Sequence, residues 1–289
     1  MNVRTLLSRT SRLASLLGAF VFTAAPTLAD EPASRIVSVG GSITEIVYAL
    51  GEKERLVARD STSTYPTETS DLPDVGYIRR LAPEGVLSVS PDLLLMLEGS
   101  GPPETVDLLQ KSGLRIITVP EAYSPEGILE KVRIVGDALG VPEKAKRFSD
   151  DLRTSLNKAH EKSLGQADGI KVLFVLSNNG GRVLASGSGT AASNIIALAG
   201  AKNATPEFEG YKQLTDEAIM QAAPDVVLMM SNGANHGDTD VFANPALAST
   251  PAGQNNRIIK MPGSYLLGFG PRTADAILEL SEKLSAIKG

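Results

Sequence analysis

The spacing of apolar and polar positions predicts a chain in which strands alternate with helices. A continuous apolar run at 36–39 leads into a helix-periodic stretch over 43–50, which ends at Gly51. Further apolar runs at 93–96 and 116–119 each follow a helix-like segment. Strands separated by helices in this way are typical of parallel sheets in α/β proteins.

A longer helical period occupies the middle of the chain, from Pro142 to about Gly165. Its apolar side chains recur every three or four residues, its other positions are mostly charged, and a proline suits the first helical turn. This pattern predicts one long amphipathic helix. A second α/β half begins after it with the apolar strand 171–176.

The second half of the chain repeats the first. Segment 84–96 aligns without gaps on 217–229, and 45–51 resembles 194–200 more loosely. A helix followed by Pro-Asp and a strand is also a common local arrangement, so the match alone leaves two interpretations open. We favour an α/β fold with two Rossmann-like lobes joined by a single long helix and a ligand cleft between the lobes. The predicted boundaries are a signal peptide at 1–29, an N-terminal lobe at 30–141, the connecting helix at 142–166 and a C-terminal lobe at 167–289.

The start of the chain has the layout of a cleaved secretory signal. Three arginines precede an apolar run from Leu13 to Ala25, and small residues follow up to Ala29. The run is shorter than the roughly 20 apolar residues that span a bilayer, which disfavours a membrane anchor. The chain has no cysteine to carry a lipid. We therefore expect cleavage after Ala29 and a mature protein that is free in the periplasm.

The charge of the chain disfavours two kinds of partner. The formal net charge is −5, and removal of the three signal-peptide arginines makes it −8 (−5 − 3). An acidic surface is a poor match for nucleic acid and for anionic membranes. We expect neither as a partner.

The motifs indicate a binding protein rather than an enzyme. The sequence has no P-loop, no dinucleotide fingerprint after the first strand and no nucleophile-elbow pattern. Two histidines, His160 and His236, are too few for a zinc or manganese site built on several imidazoles. We expect His160 to be solvated on the long helix, whereas His236 lies in a polar loop from which it could reach the cleft.

Tyr65 is the candidate for ligand chemistry in the first lobe. It lies in the polar loop 60–66, directly before a proline. A tyrosine in such a loop is either a packed surface ring or a phenolate that binds a hard ferric ion, as in some heme proteins. An ordinary phenol, with a pKa of about 10, ionises at neutral pH only when a metal or a cation replaces its proton. Arg79 and Arg80 lie a short loop away, after Tyr77.

The second lobe offers matching loops after its strands. They combine aromatic rings, glycines and arginines, which suit a flat apolar macrocycle with anionic edges. The candidate ligand contacts are Tyr77, Arg79 and Arg80 in the first lobe, and Asn178, Arg182, Met230, Asn232, Tyr265, Phe269 and Arg272 in the second.

Five stretches carry a family resemblance, at 38–51, 60–66, 72–79, 101–104 and 268–273. Through them, essentially the whole mature chain resembles the periplasmic heme binders among the helical-backbone substrate-binding proteins, a class that also holds vitamin B12 and siderophore binders. The Ser-Thr-Tyr-Pro loop followed by Val-Gly-Tyr-Ile-Arg is typical of the heme branch. The resemblance implies that Tyr65 is the axial ligand of ferric heme b, carried as cargo and not as a catalytic cofactor. It also implies that the 77–80 loop lines the cleft.

Two details of the heme site stay open. In some members an arginine close to the ligand tyrosine stabilises the phenolate, but here Thr67 and Glu68 follow Pro66. Arg79 or Arg272 could supply that cation. Some members hold two stacked hemes and use a histidine for the second, and neither histidine of this chain matches such a motif.

The resemblance also implies partners. Members of the class deliver cargo to an ABC permease dimer with its ATPase subunits, and an outer-membrane heme receptor system can act upstream. One exposed glutamate on each lobe pairs with arginines of the permease. Position in the family motifs assigns Glu104 and Glu217, and the internal repeat offers Glu84 as the mate of Glu217.

Two other functions are compatible with parts of the sequence. A ferric siderophore or a cobalamin could occupy the same fold, although the absence of tryptophan disfavours a corrin platform. A secreted hydrolase or sugar-phosphate enzyme needs a general base near a nucleophile, and the sequence shows no such pair.

Overall fold

The computed structural model describes residues 32–231 and 241–287. Within these ranges two α/β lobes are joined by one long helix, and the predicted fold class is confirmed. The predictions for the signal peptide at 1–29 and for Asn232 and His236 lie outside the described residues.

The first lobe is built on a four-stranded sheet. It contains strands β1 (Ile36–Val39), β2 (Leu56–Arg59), β3 (Leu93–Leu97) and β4 (Arg115–Val119) and helices α1 (Gly41–Ala49), α2 (Pro83–Leu87), α3 (Pro103–Lys111) and α4 (Pro125–Ala138). The strands are parallel, in the order β2-β1-β3-β4. Strands β1 and β3 are buried along their whole length, which explains their uninterrupted apolar sequences.

Helix α5 (Pro142–Ser163) joins the lobes. It buries the predicted apolar positions Ala145, Leu152, Leu156 and Ala159 and packs against α4. The helix ends two residues before Gly165, which takes a left-handed conformation with φ 75°. The boundaries proposed for the two lobes themselves stay predictions.

The second lobe is built on a larger, mixed sheet. It contains strands β5 (Lys171–Asn179), β6 (Arg182–Ser186), β7 (Lys202–Asn203), β8 (Tyr211–Gln213), β9 (Val226–Met230) and β10 (Ile258–Met261) and helices α6 (Ala191–Leu198), α7 (Asp216–Ala222), α8 (Pro245–Ala248), α9 (Pro251–Gln254), α10 (Gly263–Leu267) and α11 (Thr273–Ser285). The strand order is β10-β9-β5-β6-β8, with β7 beside β5. Strands β6 and β8 are antiparallel to their neighbours, and α11 packs back onto α5.

The internal repeat seen in the sequence is a repeat of backbone geometry. Asp92 accepts a hydrogen bond from the backbone N–H of Arg35 at 3.0 Å, and its own N–H donates to the Arg35 carbonyl. Asp225 accepts from the N–H of Lys171 at 2.8 Å and donates to the Lys171 carbonyl. Each aspartate therefore ties the start of one strand to the start of its neighbour in the sheet.

None of the helices in the described ranges is both long enough and apolar enough to cross a membrane. Over the same residues, no group of three or more His, Asp or Glu side chains is placed to hold a metal ion.

Candidate functional site

The loop that carries Tyr65 follows β2 and is organised by a buried carboxylate. Asp60 accepts hydrogen bonds from the Gly40 N–H at 2.8 Å, the Ser63 hydroxyl at 2.6 Å and the Thr62 N–H at 2.9 Å. These bonds fix the loop to the end of β1. The Tyr65 ring stays 45 % exposed at the carboxyl edge of the sheet, where ligands of α/β sheets bind.

Arg272 of the second half lies directly on the Tyr65 ring. The guanidinium carbon is 3.8 Å from the centroid of the Tyr65 ring and 5.1 Å from that of Tyr265. A guanidinium at this distance is attracted to the face of an aromatic ring. Two arginines were predicted as cation partners of Tyr65. Arg272 contacts the Tyr65 ring, whereas Arg79 donates a hydrogen bond to the Gly99 carbonyl.

Arg272 is held in place by a carboxylate that the sequence did not single out. Its Nη2 and Nε donate to the two carboxylate oxygens of Glu45 on α1 at 2.6 and 3.0 Å. Glu45 is only 6 % exposed. Burial raises the pKa of Glu45 above its ordinary value, and the hydrogen bonds and charge of Arg272 offset part of that rise. The pair fixes the guanidinium beside the tyrosine.

The segment 264–272 around Arg272 crosses the carboxyl edge of the first sheet. The hydroxyls of Ser264 and Thr64 are 3.4 Å apart. Gly270 lies so close to α1 that a Cβ there would be 2.9 Å from the Ser42 Cβ. This segment forms a floor that joins the two lobes beneath Tyr65.

Phe269 was predicted as a ligand contact, but its side chain is buried within the 264–272 segment. The side chain is 1 % exposed, and its ring packs edge-on against Tyr123 with centroids 5.4 Å apart. Its carbonyl accepts a hydrogen bond from the Lys131 Nζ at 3.2 Å. Because the Phe269 ring is covered, we omit it from the candidate ligand contacts.

Lys131 and Glu121 form a second buried ion pair at this floor. Lys131 is 1 % exposed. Burial lowers the pKa of Lys131 and raises that of Glu121, and the attraction between them opposes both shifts. The pair is a structural anchor for the Phe269 carbonyl.

Two further tyrosines, Tyr123 and Tyr211, were not predicted as ligand contacts and lie close enough to interact electrostatically. Burial, with a contribution from Tyr123, raises the pKa of Tyr211 to about 12. Tyr123 follows β4 in the first lobe, whereas Tyr211 begins β8 in the second. Burial also raises the pKa of Tyr265 to about 12. The one sequence signal for these tyrosines was the low aromatic content of the chain, 4 %, which makes any single tyrosine informative.

The loop 77–80 of the first lobe lies beside the Tyr65 loop. The Ser61 N–H donates to the Gly76 carbonyl at 2.9 Å, which connects the two loops. Tyr77 is 49 % exposed, and Arg79 and Arg80 are also exposed. These side chains remain candidate ligand contacts.

The candidates of the second lobe cluster at strand ends. Asn178 lies near the end of β5, and its buried Oδ1 has no hydrogen-bond partner among the described residues. Arg182 is exposed at the start of β6, and half-buried Met230 ends β9. Buried acceptors of this kind normally have a hydrogen-bond partner, so this atom marks a polar position near the end of β5.

The two predicted docking glutamates occupy equivalent helix positions. Glu104 is the second residue of α3 and Glu217 the second residue of α7, and both are exposed. Hydrogen bonds from its own backbone N–H and from the Thr215 hydroxyl lower the pKa of Glu217, which keeps this carboxylate charged.

Comparison with known proteins places these features in a family. The family described as "Periplasmic binding protein" matches residues 36–265. The periplasmic heme-binding protein BhuT, solved with two hemes, is 36 % identical with a TM-score of 0.83, covering 88 % of this chain and 99 % of that one. The apo periplasmic heme-binding protein RhuT from Roseiflexus sp. RS-1 is 35 % identical with a TM-score of 0.84, covering 89 % and 100 %.

A curated relative with a different cargo is more distant. The vitamin B12-binding protein of Vibrio parahaemolyticus serotype O3:K6 is 24 % identical over 93 % of this chain and 95 % of its own length. The resemblance predicted from the sequence motifs is confirmed, with the heme-binding proteins ahead in identity.

Proposed function

Because this chain belongs to the periplasmic binding protein family, we propose that it captures ferric heme in the periplasm and delivers it to an ABC permease. The cargo undergoes no chemistry on the protein. The family supplies the partner class, a permease with its ATPase. The heme-binding relatives at 35 and 36 % identity support heme as the cargo.

The observation that carries the proposal is the contact between Tyr65 and Arg272. A half-exposed phenol stands at the ligand-binding edge with a guanidinium 3.8 Å from its ring centroid. The guanidinium is attracted to the ring face and holds the phenol at this edge, and a tyrosine oxygen is a known ligand of ferric heme iron. Burial raises the pKa of Tyr211 and of Tyr265 to about 12, and neither lies in the loop to which the family motif assigns the iron ligand. We therefore assign Tyr65 as the axial ligand and Arg272 as its cation.

Absorption spectroscopy of the purified protein with hemin tests this assignment. The wild type should give a high-spin ferric spectrum with a phenolate charge-transfer band. Tyr65→Phe should lose the band and bind hemin at least about tenfold more weakly, since it removes one metal bond. Tyr48→Phe, on α1 away from the cleft edge, is the matched control and should keep the wild-type spectrum.

Tyr77→Phe is the decisive comparison, because Tyr77 is the other exposed tyrosine of the same wall. A band that persists in Tyr65→Phe and disappears in Tyr77→Phe would show that the iron ligand is wrongly assigned. A wild-type protein that binds no hemin would contradict the function itself.

Cobalamin is the second candidate cargo, because a vitamin B12-binding protein is among the relatives. Equilibrium competition separates the two cargoes. Under our proposal, cyanocobalamin does not displace hemin at equal concentration. Preferential binding of cobalamin would replace heme as the assigned cargo.

Export and docking complete the proposed cycle. The relatives include a periplasmic heme-binding protein and a substrate-binding lipoprotein, and we propose signal cleavage after Ala29. Glu104 and Glu217 are proposed to pair with basic residues of the two permease subunits, and a heme receptor of the outer membrane is proposed to act upstream.

A further inference from the structure

A few aliphatic or methionine side chains of the described chain are largely exposed. They are Leu87 at 40 %, Leu108 at 55 %, Leu164 at 60 % and Met220 at 51 %. Single exposed apolar residues are common on protein surfaces and need no explanation by themselves. All four share one further feature, which is an exposed glutamate three or four residues earlier, namely Glu84, Glu104, Glu161 and Glu217.

The spacing puts each glutamate and its apolar neighbour on one helix face. On α3, Leu108 follows Glu104 by four residues, and on α7, Met220 follows Glu217 by three. Side chains three or four residues apart are neighbours on a helix surface. We name Glu104 with Leu108, and Glu217 with Met220, the acidic–apolar pairs.

Topology places both acidic–apolar pairs toward the carboxyl edges of the sheets. Helix α3 starts after the carboxyl end of β3, so its first turn lies at that edge. Helix α7 leads into β9, and a helix that precedes a parallel strand runs opposite to it in such folds. Its first turn therefore lies near the carboxyl end of β9. Each lobe thus presents one of the two named pairs toward its carboxyl edge, whereas Glu161 and Leu164 lie at the end of α5, before the start of β5.

We propose that Leu108 and Met220 are apolar anchors that insert into one permease subunit each, beside the glutamates. This inference rests on the delivery step of the proposed function and adds the chemistry of the partner surface. Exposed ion pairs alone contribute little free energy, because water and salt screen them. A few desolvated apolar contacts usually supply most of the binding energy of an interface.

The duplication of the pair argues for this occupant. A dimeric partner offers the same patch twice, and two similar helix faces, one on each lobe, complement such a surface. The permease patch should carry a basic residue next to an apolar depression. Helix α2 offers a competing pair, Glu84 with the less exposed Leu87, packed beside α3 in the same lobe.

The test measures binding of the full mature protein to the detergent-purified cognate permease–ATPase complex by surface plasmon resonance. Leu108→Ser and Met220→Ser should each raise Kd about five- to tenfold, at both low and high salt. Glu104→Gln and Glu217→Gln should weaken binding at low salt and much less at high salt. Leu164→Ser is the matched control, since it removes an equally exposed leucine near the end of α5.

Every sample is first titrated with hemin, which separates failure of the anchors from failure of the cargo assignment. Wild-type hemin affinity with unchanged permease binding in Leu108→Ser or Met220→Ser would overturn the proposal. An effect of Leu87→Ser in place of Leu108→Ser would overturn the assignment of the anchor to α3. Equal losses in Leu164→Ser would show a non-specific apolar effect and overturn it as well.

Discussion

Arg272 and Glu45 are 227 residues apart in the sequence and are joined by two hydrogen bonds of 2.6 and 3.0 Å. The same guanidinium covers the Tyr65 ring. One side chain therefore connects the proposed ligand tyrosine to the packing between the lobes. Changes at this pair should affect stability in a pH-dependent way.

Arg272→Met should reduce the free energy of unfolding by about 2–3 kcal/mol at pH 7, because it leaves Glu45 buried without its cation. The Arg272 side chain is 21 % exposed, so the expected loss of unfolding free energy is smaller than for a fully buried ion pair. The pKa of Glu45 is already raised and should rise further without Arg272. A folded-state pKa above the unfolded value means that stability falls as the pH rises through it. The loss should therefore be small near the ordinary value of 4.5 and grow toward neutral pH, as measured by urea unfolding.

The double variant Arg272→Met with Glu45→Gln is the control for this mechanism. It removes the buried charge, so its stability should show no growing deficit between pH 5 and 7. A deficit of Arg272→Met that is independent of pH would mean that packing, not the carboxylate, causes the loss.

Gly270→Ala should lower stability by about 1–3 kcal/mol, because its new Cβ would collide with the Ser42 Cβ at 2.9 Å. Thermal unfolding gives the size of the effect. Adding Ser42→Gly removes the clashing atom and should recover part of the loss. If Gly270→Ala leaves the melting temperature unchanged, the 264–272 segment packs less tightly against α1 than the 2.9 Å approach indicates.

Much of the fold could be predicted from the sequence, because the repeat recurs in local geometry. The predicted strand at 93–96 is β3, and the helix predicted to end at Gly51 is α1. The Pro-Asp pairs are preceded in both lobes by a left-handed residue, Ser90 at φ 47° and Ala223 at φ 42°. These turns and strand starts are determined by residues close together in the sequence, so a short segment is enough to predict them.

The site was less predictable, because its contacts join distant parts of the chain. Glu45 had the pattern of an ordinary helix residue, and only tertiary structure brings Arg272 to it. Phe269 has the sequence context of a ligand loop, yet its ring packs on Tyr123 in the floor. No periodicity in a single sequence encodes such pairings.

Ala223→Gly should raise the free energy of unfolding by about 0.5–1 kcal/mol. Ala223 has φ 42° and ψ 62°, a left-handed conformation that costs energy in any residue with a Cβ. Ala222→Gly is the matched control, because this neighbour is the last helical residue of α7. It should lower stability by a similar amount, since glycine is a poor helix former. Chemical denaturation with unchanged m-values would establish both signs, and destabilisation by Ala223→Gly would contradict the argument.

Asp92→Asn should destabilise the first lobe at neutral pH and progressively less in acid. The Asp92 carboxylate accepts backbone N–H bonds from Ser34 at 2.7 Å and Arg35 at 3.0 Å. Partial burial opposes these bonds, but their net effect lowers the pKa of Asp92 below its ordinary 3.8. An acid with a lowered pKa stabilises the fold above its unfolded pKa and loses that contribution as the pH falls through the folded value. We expect a deficit of about 1 kcal/mol at pH 7, reduced by solvent exposure, that narrows below pH 3.8.

Asp225→Asn tests whether the repeat performs the same task in the second lobe. Asp225 accepts one such bond, from the Lys171 N–H at 2.8 Å, so its deficit at pH 7 should be equal or smaller. Hydrogen exchange should localise each effect, with faster exchange at the start of β1 for Asp92→Asn and of β5 for Asp225→Asn. Exchange that accelerates in both lobes for either variant would show that the two aspartates do not act locally, and that the repeat is one of sequence without a shared structural role.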